Sequence, residues 1–176
     1  MDRVQLEQCI QEYGKDIYTF CSQVTGNRQE AEDLYQDTFL KAVELEGKID
    51  YSKNPKSYLV SVALRIWKNR RRKFAWRKRI AGTRLLAEDW ALEDLEGQED
   101  SAEEAALKRE LERQVRQAVG GLAEKYRIPV YLYYTLQLSV EEIAHVLEIP
   151  QGTVKSRLHK ARALLRRELE VVLDEI

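Results

Sequence analysis

Apolar residues return every three or four positions along most of this chain, and strand-like alternation occurs almost nowhere, so the sequence calls for helices throughout. Leu6, Cys9, Ile10, Ile17, Phe20 and Cys21 carry the pattern from Val4 to Val24, and Thr25-Gly26-Asn27 ends it. A second helix follows from about Gln29 to Leu45, and Gly47 to Lys53 is a polar loop. Asn54-Pro55 opens a third helix that runs to about Arg79, because Asn caps well and Pro fits the first helical position. The pattern resumes at Ala102 and reaches Val119, with Gly120-Gly121 as a break. Ala123 to Leu136 continues it, Pro129 marking a kink or a late start. With only three prolines and eight glycines, a turn-rich β fold or a disordered chain is excluded. The expected fold is all-α, two small helical domains joined by an acidic linker: residues 1–80, a linker over 81–104, and residues 105–176.

Charge supports that division. The net charge of −1 hides a sorting into blocks. Arg65 to Ile80 holds nine basic residues and no acid, Ala87 to Glu104 nine acids and no base, and Lys155 to Arg167 six basic residues and no acid. Ordinary solvated helix faces mix signs through i,i+4 pairs, whereas two separate basic stretches point to a polyanion. Within the acidic segment, Trp90, Leu92 and Leu95 either anchor it to a partner or form a short amphipathic turn.

Leu138 to Leu165 is the most informative stretch. Ser139 and Glu142 have capping-box spacing, which starts a helix at Val140 with Ile143, Val146 and Leu147 on its apolar face. Glu148-Ile149-Pro150 interrupts it. A second helix begins near Gln151 or Gly152 and turns Val154, Leu158, Ala161 and Leu165 inward. Two short helices across a tight turn, the second longer and basic, form a helix-turn-helix pattern. Its outer face carries Thr153, Lys155, Ser156, Arg157, His159, Lys160 and Arg162, groups suited to base edges and phosphates. A solvent-facing basic hairpin is the bland alternative.

Leu138-Ser139-Val140-Glu141-Glu142-Ile143-Ala144, followed by the run from Gly152 to Arg162 (GTVKSRLHKAR), closely resembles the −35-reading segment of extracytoplasmic-function sigma factors of the sigma-70 family. By position, the resemblance turns Lys155, Ser156, His159 and Lys160 toward bases, and Thr153 and Arg157 toward the backbone. Glu148 departs from the pattern, since many relatives have glycine there. Ala31 to Ala42 (AEDLYQDTFLKA) resembles the segment with which this family grips a coiled coil of the largest polymerase subunit, which implies Asp33, Gln36, Asp37, Phe39 and Leu40 as polymerase contacts. Periodicity agrees in part: Ala31, Leu34, Tyr35, Thr38, Ala42 and Leu45 form the inward stripe, and Asp33, Gln36, Asp37 and Leu40 point away.

The third helix is the candidate for −10 reading and strand separation. Leu59, Val62, Ala63 and Ile66 face inward, with Tyr58 and Phe74 at the margins. Ser61, Arg65, Lys68, Asn69, Arg71 and Arg72 lie outside and Trp67 at the edge, cations beside an aromatic as single-stranded DNA requires. Trp67 reads equally as a core-edge residue, and Arg77, Lys78 and Arg79 as a basic tail. The resemblance places a base-capturing loop at Lys48 to Lys56. Many relatives carry asparagine at the position of Arg65 and aspartate at that of Asn69, so −10 base preference does not transfer. The resemblance covers almost the whole chain and is weakest in the acidic segment, which relatives thread near the active site and the RNA exit path. It implies core RNA polymerase and promoter DNA as partners, an anti-sigma factor as a further one, and no cofactor.

Two rivals are weaker. A stand-alone helix-turn-helix regulator leaves Ala31 to Ala42 unexplained. A helical enzyme has only His145 and His159 to work with, both inside the helix-turn-helix, and Glu141-Glu142 read as helix N-terminal acids. Cys9 and Cys21, twelve residues apart on one helix, cannot bridge, and no C-x-x-C or H-x-x-x-H spacing supports a metal. No apolar run approaches a membrane span of about 18 residues, and Met1 to Ile10 has no signal-peptide core, so the chain reads as cytoplasmic and non-enzymatic.

Overall fold

The computed structural model describes residues 3–45, 54–81 and 102–173, helical apart from short connections. The helices are α1 (Arg3–Thr25), α2 (Arg28–Glu44), α3 (Pro55–Ala81), α4 (Ala102–Gly121), α5 (Glu124–Val130), α6 (Val140–Leu147) and α7 (Gln151–Leu173). No strand occurs among the described residues, and the all-α expectation holds. Two compact units emerge, one built on α1–α3 and one on α4, α5 and α7, with α6 linking α5 to α7 along the chain.

Helices claim both ends of the expected 81–104 linker: Ala81 closes α3, and Ala102 to Glu104 open α4. Residues 82–101, Trp90, Leu92 and Leu95 among them, lie outside the described residues, and so do residues 48–53 of the base-capturing loop expected at Lys48 to Lys56. Arg77, Lys78 and Arg79 are not a tail but the last turns of α3, where cations suit the negative end of the helix dipole.

In the first unit each of the three helices packs on the other two. One tripeptide both stops α1 and starts α2. Gly26 takes a left-handed φ of 64° and its N–H donates to the Ser22 carbonyl at 2.9 Å, while the Asn27 side chain accepts from the Glu30 N–H at 3.0 Å. The Asn54 side chain accepts from the Lys56 N–H in the same way. Ile17, Phe20, Cys21, Leu34 and Leu59 are fully buried, each large apolar side chain contributing about 1.5–3 kcal/mol. Thr38 is buried among them without penalty, because its hydroxyl donates to the Leu34 carbonyl at 2.7 Å. α3 buries a wider arc than one amphipathic stripe: Val60, Leu64 and Trp67 join Leu59, Val62 and Ala63.

In the second unit α4, α5 and α7 pack together around Val119, Ile128, Leu132, Val154 and Leu158. Gly120-Gly121 does not break α4 early but forms its last residues. Pro129 sits inside α5, and the chain beyond it widens into one π-helical turn, Tyr131–Thr135, closed by the Leu136 N–H on the Tyr131 carbonyl at 3.1 Å. Arg127 is buried, and its guanidinium donates to the Gly120 carbonyl at 3.0 Å, taking up one of the acceptors that a helix C-terminus leaves over.

Candidate nucleic-acid interface

α6 begins with the reciprocal cap that its sequence demands. The Ser139 N–H donates to the Glu142 carboxylate at 2.7 Å, and the Glu142 N–H donates to the Ser139 hydroxyl at 3.2 Å. It ends in a Schellman turn: the Ile149 N–H reaches the Ala144 carbonyl and the Glu148 N–H the His145 carbonyl, with Glu148 left-handed at φ 55°. Glycine favours that backbone region, so Glu148 holds a conformation that a residue with a Cβ rarely adopts. Pro150 then passes its carbonyl to the Thr153 and Val154 N–H groups, and α7 starts at Gln151.

Burial of Val154, Leu158 and Ala161 fixes how α7 is rotated. Lys155, Ser156, His159, Lys160 and Arg162 are exposed, and Thr153 and Arg157 are half-buried on one shoulder. Leu165 is only half-buried, so the inward stripe fades there. Arg162 is held in place: its Nε donates to the Tyr134 hydroxyl at 2.8 Å, and the guanidinium lies 5.8 Å and 6.0 Å from the Tyr133 and Tyr134 ring centres. Tyr134 carried no sequence signal, because its partner lies on another helix and only folding brings them together.

On α3, Arg65, Lys68, Asn69, Arg71 and Arg72 are exposed, and Arg72 donates to the Asn69 side-chain oxygen at 2.8 Å. Trp67 does not belong with them. It is 5% exposed, packed into the core with Arg71 lying 5.0 Å from its ring centre, so an unpaired base cannot stack on it. The correction follows from the three-helix packing, which buries both edges of the α3 stripe. Phe74, expected at the core margin, is exposed.

On α2, Asp33, Gln36, Asp37 and Leu40 are exposed, Leu40 at 64%, giving an acceptor-rich face around one leucine. Phe39 departs from that set: it is 6% exposed and packs edge-on against Tyr35 at 4.9 Å, and so supports the face from below. Arg70, outside the sequence-predicted set, crosses from α3 to Asp37. Both cysteines are buried free thiols. Among the described residues no cluster of ligating side chains suits a metal, and no helix is long and apolar enough to cross a membrane.

Compared with known proteins, the chain matches two family models, Sigma-70 region 2 over residues 9–78 and Sigma-70, region 4 over residues 112–165. It is 32% identical to the ECF RNA polymerase sigma factor SigW of Bacillus subtilis, over 89% of this chain and 84% of that protein. It is 30% identical to the RNA polymerase sigma-H factor of Pseudomonas aeruginosa, over 99% of this chain and 91% of the other. Of solved structures, the sigma factor RpoE of Bartonella quintana, in complex with the anti-sigma factor NepR, superposes with a TM-score of 0.79 at 21% identity, covering 95% of this chain and 98% of that one. CnrH, in complex with the cytosolic domain of CnrY, gives 0.68 at 19% identity, covering 97% and 90%. At these identities the two structures speak for the fold.

Proposed function

Since this chain belongs to the sigma-70 family, in its extracytoplasmic-function branch, we propose that it binds core RNA polymerase and directs initiation by reading a −35 element with α7 and a separated −10 strand with α3. The observation that carries this reading is the presence of both sigma regions in one chain, each with an exposed cationic helix face. A stand-alone regulator needs only the second region. The matched families are not catalytic ones, and in this reading the polymerase supplies the chemistry.

The first unit docks through Asp33, Gln36, Asp37 and Leu40 of α2, acceptors around an exposed apolar centre. α7 enters the major groove of duplex DNA. There Lys155, Ser156, His159 and Lys160 meet base edges, each good bidentate contact contributing about 1–3 kcal/mol of discrimination. Thr153, Arg157 and Arg162 meet the sugar-phosphate backbone, which sets register and makes affinity fall with salt. Arg65, Lys68, Asn69, Arg71 and Arg72 of α3 attract the phosphates of the non-template strand. Holding an unstacked base there offsets an opening cost of a few kcal/mol. Residues 1–80 and 105–176 act as the two working domains, and the acidic segment between them mimics RNA near the polymerase exit path. An inhibitory anti-sigma protein belongs to the same proposal, on the family resemblance. So does a cytoplasmic setting, where the polymerase works.

Run-off transcription with purified core polymerase on a genomic promoter library tests this directly. The expected result is a small set of start sites sharing two spaced elements that core polymerase alone does not use. Failure of the purified chain to form any complex with core polymerase would falsify it.

A further inference from the structure

α3 runs on past its own core. From Arg71 to Ile80 every residue except the half-buried Lys78 is exposed, so the last turns of the helix face solvent on nearly all sides. Seven cations stand between Arg70 and Arg79, and Lys73 and Arg77, one turn apart, repel each other. Among the described residues no carboxylate pairs with Lys73, Arg77 or Arg79. Between these cations Trp76 is 64% exposed, and Ile80, one turn further on, 68%. A surface that is cationic and apolar at once calls for an acidic occupant with apolar side chains of its own. Phosphates answer the charge but leave Ile80 in water. The sequence holds a fitting segment directly after the helix: from Glu88 to Glu96 five acids flank Trp90, Leu92 and Leu95, and no base interrupts them.

We infer that in the free chain the acidic segment from Glu88 to Glu96 docks on the cationic end of its own α3. Its carboxylates answer Arg77, Lys78 and Arg79, and its apolar side chains meet Trp76 and Ile80. Chain length permits the encounter. Trp76 lies five residues, about 7.5 Å, before α3 ends at Ala81, and Trp90 lies nine residues beyond, a reach of about 30 Å. So short a connection sets an effective concentration on the order of millimolar, at which even a weak pairing is well populated. A second copy's segment has the same chemistry without that advantage. Arg71 and Arg72 lie at the inner end of this surface, so the docked segment competes with a −10 strand held at those arginines and lowers the affinity of the free chain for stray single strands. The competition rests on the assignment of α3 to that strand; the docking does not.

The test is cleavage of the full, free chain by a Glu-specific protease, with cuts at Glu88, Glu93 and Glu96 followed by mass. Cutting there tracks the fraction of chains whose segment is released. Trp76→Ala/Ile80→Ala changes two exposed side chains away from the cut sites, and is expected to speed cutting about tenfold with an unchanged thermal melt. Arg77→Gln/Arg79→Gln should speed it likewise. Leu107→Ala/Leu111→Ala, on another exposed apolar stripe, that of α4, should leave the rate as it is. If the α4 variant speeds cutting and the α3 variants do not, the segment belongs on α4 and the inference is overturned. Equal rates in all four proteins overturn it as well. Wild-type protection that is lost on dilution makes the occupant a second copy and overturns docking within one chain. An excess of a mixed-sequence single-stranded 20-mer is expected to bring wild-type cutting to the rate of Trp76→Ala/Ile80→Ala. If the 20-mer has no effect while that variant does, the docking stands, and the competition falls with the assignment of Arg71 and Arg72 to the −10 strand.

Discussion

Arg70 on α3 closes an ion pair with Asp37 on α2 at 2.5 Å, and the same guanidinium approaches the Asp33 carbonyl at 3.4 Å. The two acids proposed to grip polymerase are thus steadied from behind by the helix proposed to hold DNA. Both partners are partly exposed, so the pair itself contributes about 0–1 kcal/mol of stability. Asp37→Arg is expected to abolish core binding, because it reverses the face and sets two cations together. Arg70→Met removes the tether and leaves the acceptors in place, and core affinity should change no more than about threefold. A polymerase pull-down titration beside thermal melts checks both. Equal loss of core binding in the two variants would mean that the pair, rather than the α2 face, is what matters.

The Tyr134 hydroxyl fixes one of the α7 cations before any DNA arrives. An Arg162 side chain held at 2.8 Å from that hydroxyl loses less rotamer freedom on meeting a phosphate. Tyr134→Phe should therefore weaken promoter duplex binding about two- to fivefold, uniformly across sequences. Lys160→Ala, at a base-facing position, should cost about 1–3 kcal/mol and relax preference at one base pair. Core binding should survive in both. Measuring affinity on a set of single-base promoter variants separates the two patterns, and a sequence-dependent loss in Tyr134→Phe would contradict its backbone role.

Local chemistry was legible in the sequence, and long-range packing was not. The Ser139–Glu142 cap, the Gly26-Asn27 punctuation and the inward positions of Val154, Leu158 and Ala161 all follow from spacings of a few residues, and the structure has them. Trp67 was undecidable from spacing, because a helix wedged between two others buries its edges as well as its centre, as Val60 and Leu64 also show. Phe39 misled for a related reason: it sits beside Leu40 in sequence, but one step around a helix takes it from solvent to the Tyr35 ring. Arg70–Asp37 and Arg162–Tyr134 join residues 33 and 28 positions apart, where no periodicity reaches. The π-helical turn after Pro129 was foreshadowed only as a kink.

The left-handed Glu148 stores a small, removable strain. A side chain with a Cβ at φ 55° costs roughly 1–2 kcal/mol against glycine, part of which glycine returns through the greater freedom of its unfolded chain. Glu148→Gly is expected to raise unfolding free energy by about 1 kcal/mol, seen as a higher urea midpoint at unchanged slope. Glu148→Ala keeps the Cβ and should give no such gain. Equal stabilisation by both would assign the effect to the carboxylate instead of the backbone.

Burial pushes the Cys21 thiol up to about 12, with the Arg70 charge offsetting a little, and burial also raises Cys9, helped by Glu12. The folded chain therefore keeps its Cys21 proton where the unfolded chain, near the ordinary value of 9.0, has lost it. A raised folded value contributes stability that is complete below about pH 9 and is lost as pH climbs toward about 12. Between pH 9 and 10 the slope from this one thiol should approach about 1.4 kcal/mol per pH unit. The half-buried Tyr58 and the buried Tyr131, also raised by desolvation, add to it mainly at higher pH. Cys21→Ala should lower stability at pH 8 through lost packing and yet flatten the decline from pH 9 to 10. Urea unfolding of both proteins across that window measures the two slopes, and parallel slopes would show that the Cys21 proton is not what the folded chain retains.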